Sequence, residues 1–225
     1  MSTKKICFII CTNNETLLSE CLVYINRLIV PENVEISLLT IENATSMTSG
    51  YNEGMHASDA DINVYMHQDV FIINRNFLQD ILDIFASDEK IGMMGMVGYP
   101  HIHESGMMWK EKREGITKMF GVNGAYSDVD YQAYRYSMAD GITDVQVADG
   151  LMLVTSKNLE WDENFDAWDF YDATQCMRFL NAGYRVVVPN QRVPWVIHDD
   201  GRYLTVWDYN KYRVKFLKEY LNKTP

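Results

Sequence analysis

Three short stretches of the sequence hold side chains that could bind a metal ion or move a proton. The first is His67-Gln68-Asp69, which directly follows the apolar run 62–66. A carboxylate just past a buried strand, with a second polar ligand two residues before it, can hold a hard divalent cation against a diphosphate. An aspartate in this place can also cap the turn that follows a strand. This stretch alone therefore fits either a cation site or a turn.

The second stretch is residues 196–201, with the sequence VIHDDG. His198 follows two apolar residues, and one of its ring nitrogens could complete a metal shell that Asp69 begins. A histidine that is simply hydrogen bonded and partly buried fits the same pattern. His198 taken alone is compatible with both roles.

The third stretch is residues 161–172, WDENFDAWDFYD, which precedes an apolar pattern with helical spacing. A carboxylate at a helix start can aim a general base into a cleft, or it can cap the helix, which is worth about 1 kcal/mol. Trp168 and Phe170 offer flat faces on which a sugar ring could stack. The spacing is compatible with both readings.

The elements that must position these stretches alternate along the chain. Strands are predicted at 5–11, 34–41, 62–66, 91–97, 146–155 and 184–188, and helices at 16–28, 49–57, 77–86, 172–181 and 207–221. This order predicts a single α/β domain with a mostly parallel sheet and helices on both faces. Ligands of such sheets bind beyond the carboxyl ends of the strands. Polar clusters (TNNE, EN and HQD) follow the first three strands, so the binding site is expected at that edge.

Composition narrows the classes of partner. The 20 basic and 31 acidic residues give a net charge of -11 without a Lys/Arg stripe, which argues against nucleic-acid binding. A phosphorylated ligand of so acidic a chain needs a cation to mask its charge. No apolar run reaches the roughly 18 residues of a membrane span, and the N-terminal apolar run is short for a signal peptide, so we expect a cytoplasmic protein. The four cysteines form no C-x-x-C pair and are expected to be buried and free.

In their order and spacing these motifs resemble glycosyltransferase family 2. Residues 51–58 (YNEGMHAS) and 61–70 (DINVYMHQDV) resemble the family's donor-site half, in which a helix leads into the strand that carries the D-x-D metal motif. The form MHQDVFI is similar to the branch related to streptomycin-biosynthesis glycosyltransferases. Further matches are the segments ICTNNE at 10–15, IEN at 41–43, ADG at 148–150, 165–172 and RFLNAGY at 178–184, and His198. The likeness covers most of the chain except 100–145 and the tail.

The resemblance implies a GT-A-type nucleotide-diphospho-sugar transferase fold and a metal-dependent, inverting glycosyl transfer. The donor would be a UDP- or other nucleoside diphosphate sugar, the acceptor a hydroxyl of a glycan or small molecule, and the cofactor Mn²⁺ or Mg²⁺. The implied roles are as follows: metal binding by Asp69 and His198; general base, Asp172; donor binding by Thr12, Asn13, Glu15, Asn43, Asn52, His67 and Asp149; acceptor binding by Trp168 and Asp169.

The single domain 1–225 is expected to have three parts. Residues 1–98 would form the nucleotide-sugar-binding half, 99–145 an irregular acceptor or lid segment, and 146–225 the acceptor-side half with a C-terminal helix. The chain departs from the family pattern at three positions. His67 replaces the first Asp of D-x-D, Asn43 replaces an Asp, and Tyr171 replaces the Glu that precedes the base.

An α/β sheet of this kind also occurs in proteins with three other functions. A nucleotidyltransferase normally has a Gly-rich basic loop after its first strand, and residues 12–18 contain neither Gly nor Lys. Hydride transfer on a dinucleotide-binding domain would need G-x-G-x-x-G there. A non-catalytic sugar-nucleotide or glycan-binding module on the same fold stays open, because His67 and Tyr171 both depart from the catalytic pattern. Nothing in the sequence indicates an oligomeric state.

Overall fold

The computed structural model describes residues 3–108, 141–191, 194–199 and 206–222, together with the backbone of three two-residue strands between 114 and 133. The helices are α1 (Glu15–Ile25), α2 (Met47–Ala57), α3 (Phe77–Ser87), α4 (Tyr171–Asn181) and α5 (Val206–Tyr220). The strands are β1 (Lys4–Thr12), β2 (Val34–Glu42), β3 (Ile62–His67), β4 (Val70–Ile72), β5 (Ile91–Gly95), β6 (Val97–Tyr99), β7 (Glu114–Gly115), β8 (Lys118–Met119), β9 (Gln132–Ala133), β10 (Ile142–Asp144), β11 (Val147–Ala148), β12 (Met152–Thr155), β13 (Arg185–Pro189) and β14 (Val196–His198).

The centre of the fold is a seven-stranded sheet with the order β10-β13-β5-β12-β3-β1-β2. Strands β2, β1, β3, β5 and β13 run in one direction, and β12 and β10 run against them. The predicted mostly parallel sheet is therefore confirmed. The sequence pattern did not reveal that β12 enters between β3 and β5 in the opposite direction.

Strand β1 shows why helices cover both faces of this sheet. Its side chains alternate, so Ile6, Phe8 and Ile10 pack in one core cluster with residues of α1 and α3. Cys7 and Cys11 point the other way, into a cluster with α2, α4 and α5. The four cysteines are buried and free, as expected.

Two predicted strands are each broken into two pieces. The run 91–97 divides into β5 and β6, and β6 leaves the central sheet to pair with β11 in a three-stranded sheet. The run 146–155 divides at Asp149-Gly150 into β11 and β12. The backbones approach closely here, since a Cβ on Gly95 would lie 2.6 Å from the Cβ of Ala148. Glycine is needed for that approach.

A third sheet, with the order β4-β14-β8-β9, was not predicted. Strands β4 and β14 have three residues each, which is too short for a periodic signal. They pair antiparallel, with His198 opposite Val70. This pairing carries the late histidine to the end of β3.

The predicted irregular segment 99–145 lies largely outside the described residues. Its described part includes β10, which pairs with β13 at the edge of the central sheet. None of the helices within the described part of the chain is long and apolar enough to cross a membrane.

Candidate functional site

A cleft of about 520 Å³ opens at the carboxyl ends of β1, β2 and β3, the edge at which the sequence predicts a binding site. The predicted site residues that line it are Thr12, Asn13, Glu15, Asn43, His67, Asp69 and Trp168. The lining residues that the sequence did not single out as contacts are Cys11, Asn14, Leu18, Glu42, Ala44, Met47 and Gln68.

Gln68 is the most connected of these additional residues. Its Oε1 accepts hydrogen bonds from the Thr12 hydroxyl at 2.8 Å and from the backbone N–H groups of Asn13 and Asn14 at 3.1 and 2.9 Å. Its Nε2 donates to Asn13 Oδ1 at 2.6 Å. The loop between β1 and α1 is therefore tied to the end of β3. The only sequence signal was the position of Gln68 between two predicted ligands.

Asn43 turns the chain at the far side of the cleft. It follows β2 with φ of 59°, the left-handed region that Asn tolerates better than most residues. The chain then enters α2 through Ser46, whose side chain accepts from the Ser49 N–H in a capping box. Asn43 lies on the cleft wall, and its left-handed backbone makes the turn from β2 towards α2.

His67, Asp69 and His198 form a cluster at the edge of the cleft. Asp69 Oδ1 lies 3.5 Å from Nε2 of His198 and 3.8 Å from Nδ1 of His67. One ligand atom from each residue lies within 4.8 Å of the others. The three residues that the sequence placed at or beside the metal are brought together.

Two elements build this cluster. His67 ends β3 and Asp69 lies in the turn between β3 and β4, while His198 ends β14, the strand paired with β4. The backbone N–H of Asp199 donates to the carbonyl of Asp69 at 2.9 Å and fixes the two chain segments together.

The electrostatics of Asp69 fit a cation ligand. Burial alone would raise the pKa of this carboxyl, but the imidazoles of His198 and His67 outweigh burial and hold the pKa below its ordinary value. Asp69 Oδ1 is buried and accepts no hydrogen bond within the described part of the chain. A buried carboxylate oxygen facing two imidazole nitrogens is a suitable donor set for a divalent transition-metal ion such as Mn²⁺.

Tyr171 reaches this cluster from the first residue of α4. Its hydroxyl lies 2.6 Å from Nε2 of His67, and its ring is buried. Phe170, at the helix start, has φ of 63°, which turns the chain sharply into α4. Burial is the largest cause of a pKa for Tyr171 well above the ordinary value, so the phenol is protonated at neutral pH.

Asp172, the predicted base, follows Tyr171 and does not line the cleft. It is 8% exposed. Its Oδ2 accepts from the Gly150 N–H at 3.0 Å, and its Oδ1 accepts from the Ala173 N–H at 2.7 Å. Burial, followed by the charge of Asp149, raises the pKa of Asp172 to about 7. Asp149 accepts from the Leu151 N–H in the turn before β12 and is likewise outside the cleft lining.

Trp168 and Asp169 lie at the other rim. Trp168 lines the cleft and is 56% exposed, so a broad aromatic face meets solvent. Asp169 is partly buried, and burial together with the charge of Asp208 raises its pKa. Asp169 does not line the cleft itself.

Asn52, a predicted donor-binding residue, makes its side-chain hydrogen bonds within the fold. It is buried on α2 and outside the cleft lining. Its Nδ2 donates to the carbonyl of Trp161 at 3.1 Å and to Glu163 at 2.8 Å, while its Oδ1 accepts from the Trp161 N–H at 2.8 Å. These contacts fasten α2 to the segment before α4.

Comparison with known proteins agrees with this architecture. Residues 7–220 match the model of a family described as a glycosyltransferase like family. No curated protein sequence matches the chain.

Solved structures share the fold at low sequence identity. TarS from S. aureus superposes with a TM-score of 0.59 at 13% identity, over 98% of this chain and 43% of TarS. TarS 1-349 in complex with UDP-GlcNAc gives 0.59 and 13%, over 98% and 72%. The mannosyltransferase PcManGT from Pyrobaculum calidifontis, in complex with GDP-Man and Mn²⁺, gives 0.56 and 12%, over 98% and 62%. The chain thus spans 43% of full TarS and 62% of PcManGT. Their fold is of the GT-A type, which confirms the predicted fold class.

Proposed function

The chain belongs to this glycosyltransferase-like family, and from that premise we propose that it is a metal-dependent, inverting glycosyltransferase. It would move a sugar from a nucleoside diphosphate sugar to a hydroxyl group of a glycan or small-molecule acceptor. The observation that carries the proposal is the cluster of His67, Asp69 and His198 at the edge of the cleft. A cation bound there would act as a Lewis acid for the departing diphosphate.

The donor set favours Mn²⁺ over Mg²⁺. An imidazole ligand beside a carboxylate suits a transition metal, whereas Mg²⁺ prefers oxygen ligands and water. The structure of PcManGT is in complex with GDP-Man and Mn²⁺, which agrees with a manganese ion in a similar fold. In this chain Asp69 and His198 would be ligands, and His67 would stand where the donor diphosphate meets the ion.

The nucleotide would lie along the carboxyl ends of β1 and β2. Thr12, Asn13 and Glu15 line one wall of the cleft there, and Asn43 lines the other. Amide and hydroxyl groups of this kind can hydrogen bond to a base and a ribose. Two solved structures of similar fold hold sugar nucleotides with different bases, UDP-GlcNAc in one and GDP-Man in the other.

Asp172 is the proposed general base. A carboxyl with a pKa of about 7 is matched to proton transfer at neutral pH, because a large share of it is ionised and the ionised form is basic enough to accept a proton. It would accept the proton of the acceptor hydroxyl as that oxygen attacks the anomeric carbon from the side opposite the diphosphate, which inverts the configuration. Asp149, whose charge helps to raise this pKa, would lie on the donor-sugar side.

Trp168 is the proposed acceptor platform. Its exposed indole at the cleft rim offers a flat apolar face of the kind that stacks on a sugar ring. Asp169, the next residue, would orient an acceptor hydroxyl beside it.

A second candidate function is a sugar-nucleotide-binding module without catalysis. The observation that favours it is the state of Asp172, since both carboxylate oxygens accept backbone N–H groups and the residue is 8% exposed. Such a module would bind donor and metal but release no product.

A thermal-shift screen tests donor binding. Nucleoside diphosphates and sugar nucleotides are added with and without Mn²⁺, and we expect stabilisation by one nucleotide only when Mn²⁺ is present. Absence of any nucleotide effect in Mn²⁺ would contradict both candidates. Transfer or hydrolysis, measured with the ligand that the screen identifies, then separates the enzyme from the module.

A further inference from the structure

Tyr171 contacts His67 of the metal cluster on the side away from the cleft. Its hydroxyl and Nε2 of His67 lie 2.6 Å apart, a short hydrogen bond between a buried phenol and an imidazole. Tyr171 is 4% exposed and does not line the cleft, so it is placed to act on His67 rather than on a ligand in the cleft.

This contact fixes which nitrogen of His67 faces the other cluster members. With Nε2 engaged by the phenol, Nδ1 points to Asp69, whose Oδ1 is 3.8 Å away. Turning the imidazole over would place a carbon where Nδ1 now stands and would move Nε2 from the phenol. The hydrogen bond therefore selects one ring orientation, as outer-shell partners of metal-binding histidines commonly do.

The surroundings hold Tyr171 in place. A Cβ on Gly150 would lie 2.1 Å from the Tyr171 hydroxyl oxygen, so only glycine leaves room for that group. The Tyr171 ring lies 6.0 Å from the ring of Tyr51 and 6.2 Å from that of Trp161, centroid to centroid. The phenol has little freedom to leave His67.

We propose that Tyr171 is a positioning residue that holds His67 with Nδ1 directed at the cation. The inference rests on the proposed metal-dependent function and deepens it, because it makes His67 a third ligand. Two departures of this chain from the family's motifs are thereby connected. His67 stands in place of the first Asp of D-x-D, Tyr171 stands in place of the Glu before the base, and the two side chains contact each other. The Tyr171 hydroxyl accepts the Nε2–H of His67 when Nδ1 is a ligand.

Mn²⁺ binding without nucleotide tests the role. Binding of Mn²⁺ alone is measured by loss of the free-ion EPR signal for the wild type, Tyr171→Phe and Tyr51→Phe. Tyr171→Phe is expected to weaken Mn²⁺ affinity by about tenfold or more, the usual effect of losing an outer-shell partner. Tyr51→Phe is the matched control, because it removes a buried hydroxyl from the same aromatic group without a hydrogen bond to a cluster residue. It should leave the affinity unchanged.

A double-mutant cycle distinguishes an effect of Tyr171 on His67 from a general loss of structure around the metal site. In the His67→Ala background, Tyr171→Phe should cause no further loss, because its effect passes through His67. Equal Mn²⁺ affinities of the wild type and Tyr171→Phe, or an undiminished loss in the His67→Ala background, would overturn the inference while leaving the metal site standing. Absence of Mn²⁺ binding by the wild type would instead reject the proposed metal site and this inference with it.

A measurement on the wild type alone guards against misfolding of the variant. Nitrogen-15 NMR of the imidazoles with Zn²⁺, a diamagnetic probe, should show His67 with Nδ1 bound to the metal and a proton on Nε2. Coordination through Nε2, or a His67 that does not respond to bound Zn²⁺, would overturn the inference.

Discussion

Oδ1 of Asp69 lies 3.5 Å from Nε2 of His198, although the two residues are far apart in the chain. Their proximity comes from the pairing of β4 with β14 and from the hydrogen bond between the Asp199 N–H and the Asp69 carbonyl. Asp69 directly precedes β4 and His198 ends β14, so the pairing of these two strands makes the residues a rigid half of a metal shell.

Gln68 should act as an anchor of the nucleotide-binding loop. Gln68→Leu removes its hydrogen bonds to Thr12, Asn13 and Asn14 and is expected to weaken binding of the best nucleotide with Mn²⁺ by roughly tenfold, a loss of about 1.4 kcal/mol. Isothermal titration calorimetry measures the affinity. Gln79→Leu on the exposed face of α3 is the control, and an equal affinity for Gln68→Leu and the wild type would refute the role.

Asn52 should stabilise the fold without contacting the donor. Asn52→Ala leaves the Trp161 backbone groups unpaired, so the free energy of unfolding should fall by about 1–3 kcal/mol. Urea denaturation measures this, with Asn76→Ala as the control because Asn76 makes no side-chain capping bond at α3. Weaker nucleotide binding at unchanged stability would show that Asn52 contacts the donor after all.

Asp172 and Asp169 should differ in their effect on turnover. Asp172→Asn is expected to lower kcat by about 10²–10⁴-fold through loss of proton transfer, with little change in nucleotide affinity because Asp172 does not line the cleft. Asp169→Asn should raise KM for the acceptor more than it lowers kcat. Steady-state kinetics with the identified donor and acceptor compare the two variants. Near wild-type turnover by Asp172→Asn would reject it as the base.

The raised pKa of Asp172 also predicts a pH dependence of stability. Its pKa is about 7 in the folded chain against an ordinary value of 3.8, so the protonated carboxyl stabilises the fold at low pH. That contribution is complete below about pH 3.8 and is lost as the pH rises through 7.

Asp172→Asn cannot ionise and provides the comparison. Its stability relative to the wild type should increase from about pH 4 to about pH 7, by at most about 1.4 kcal/mol per pH unit, and then stay constant. Urea denaturation of both proteins in EDTA measures the difference. Parallel stability profiles over this range would contradict the raised pKa.

The sequence was sufficient for the parts of the fold with long periodic patterns. The early strands and helices were predicted within a few residues, and the polar strand ends located the cleft. The break between β5 and β6 could not be predicted, because an apolar run with glycines reads the same whether it stays in one sheet or leaves it. The pairing of β4 with β14 could not be predicted either, because each strand has only three residues, too few for a periodic pattern.

The candidate site was predictable where motif and strand end coincide. Asp69 and His198 were assigned to one metal shell from the sequence, and the structure brings them together. Gln68 and Tyr171 were missed as contacts, because their hydrogen bonds connect segments whose pairing is decided by tertiary packing. Asn52 was assigned to donor binding from its motif, and the sequence did not reveal that its side chain hydrogen bonds with Trp161 and Glu163.

The most direct measurement of the central claim is release of nucleoside diphosphate from the sugar nucleotide that the screen identifies. The wild type should hydrolyse it slowly in Mn²⁺, stop in EDTA and recover when Mn²⁺ is restored. Asp69→Asn and His198→Ala should be inactive at Mn²⁺ concentrations that saturate the wild type. Hydrolysis that persists in EDTA or in both variants, or tight binding with no hydrolysis in Mn²⁺, would contradict a metal-dependent glycosyltransferase.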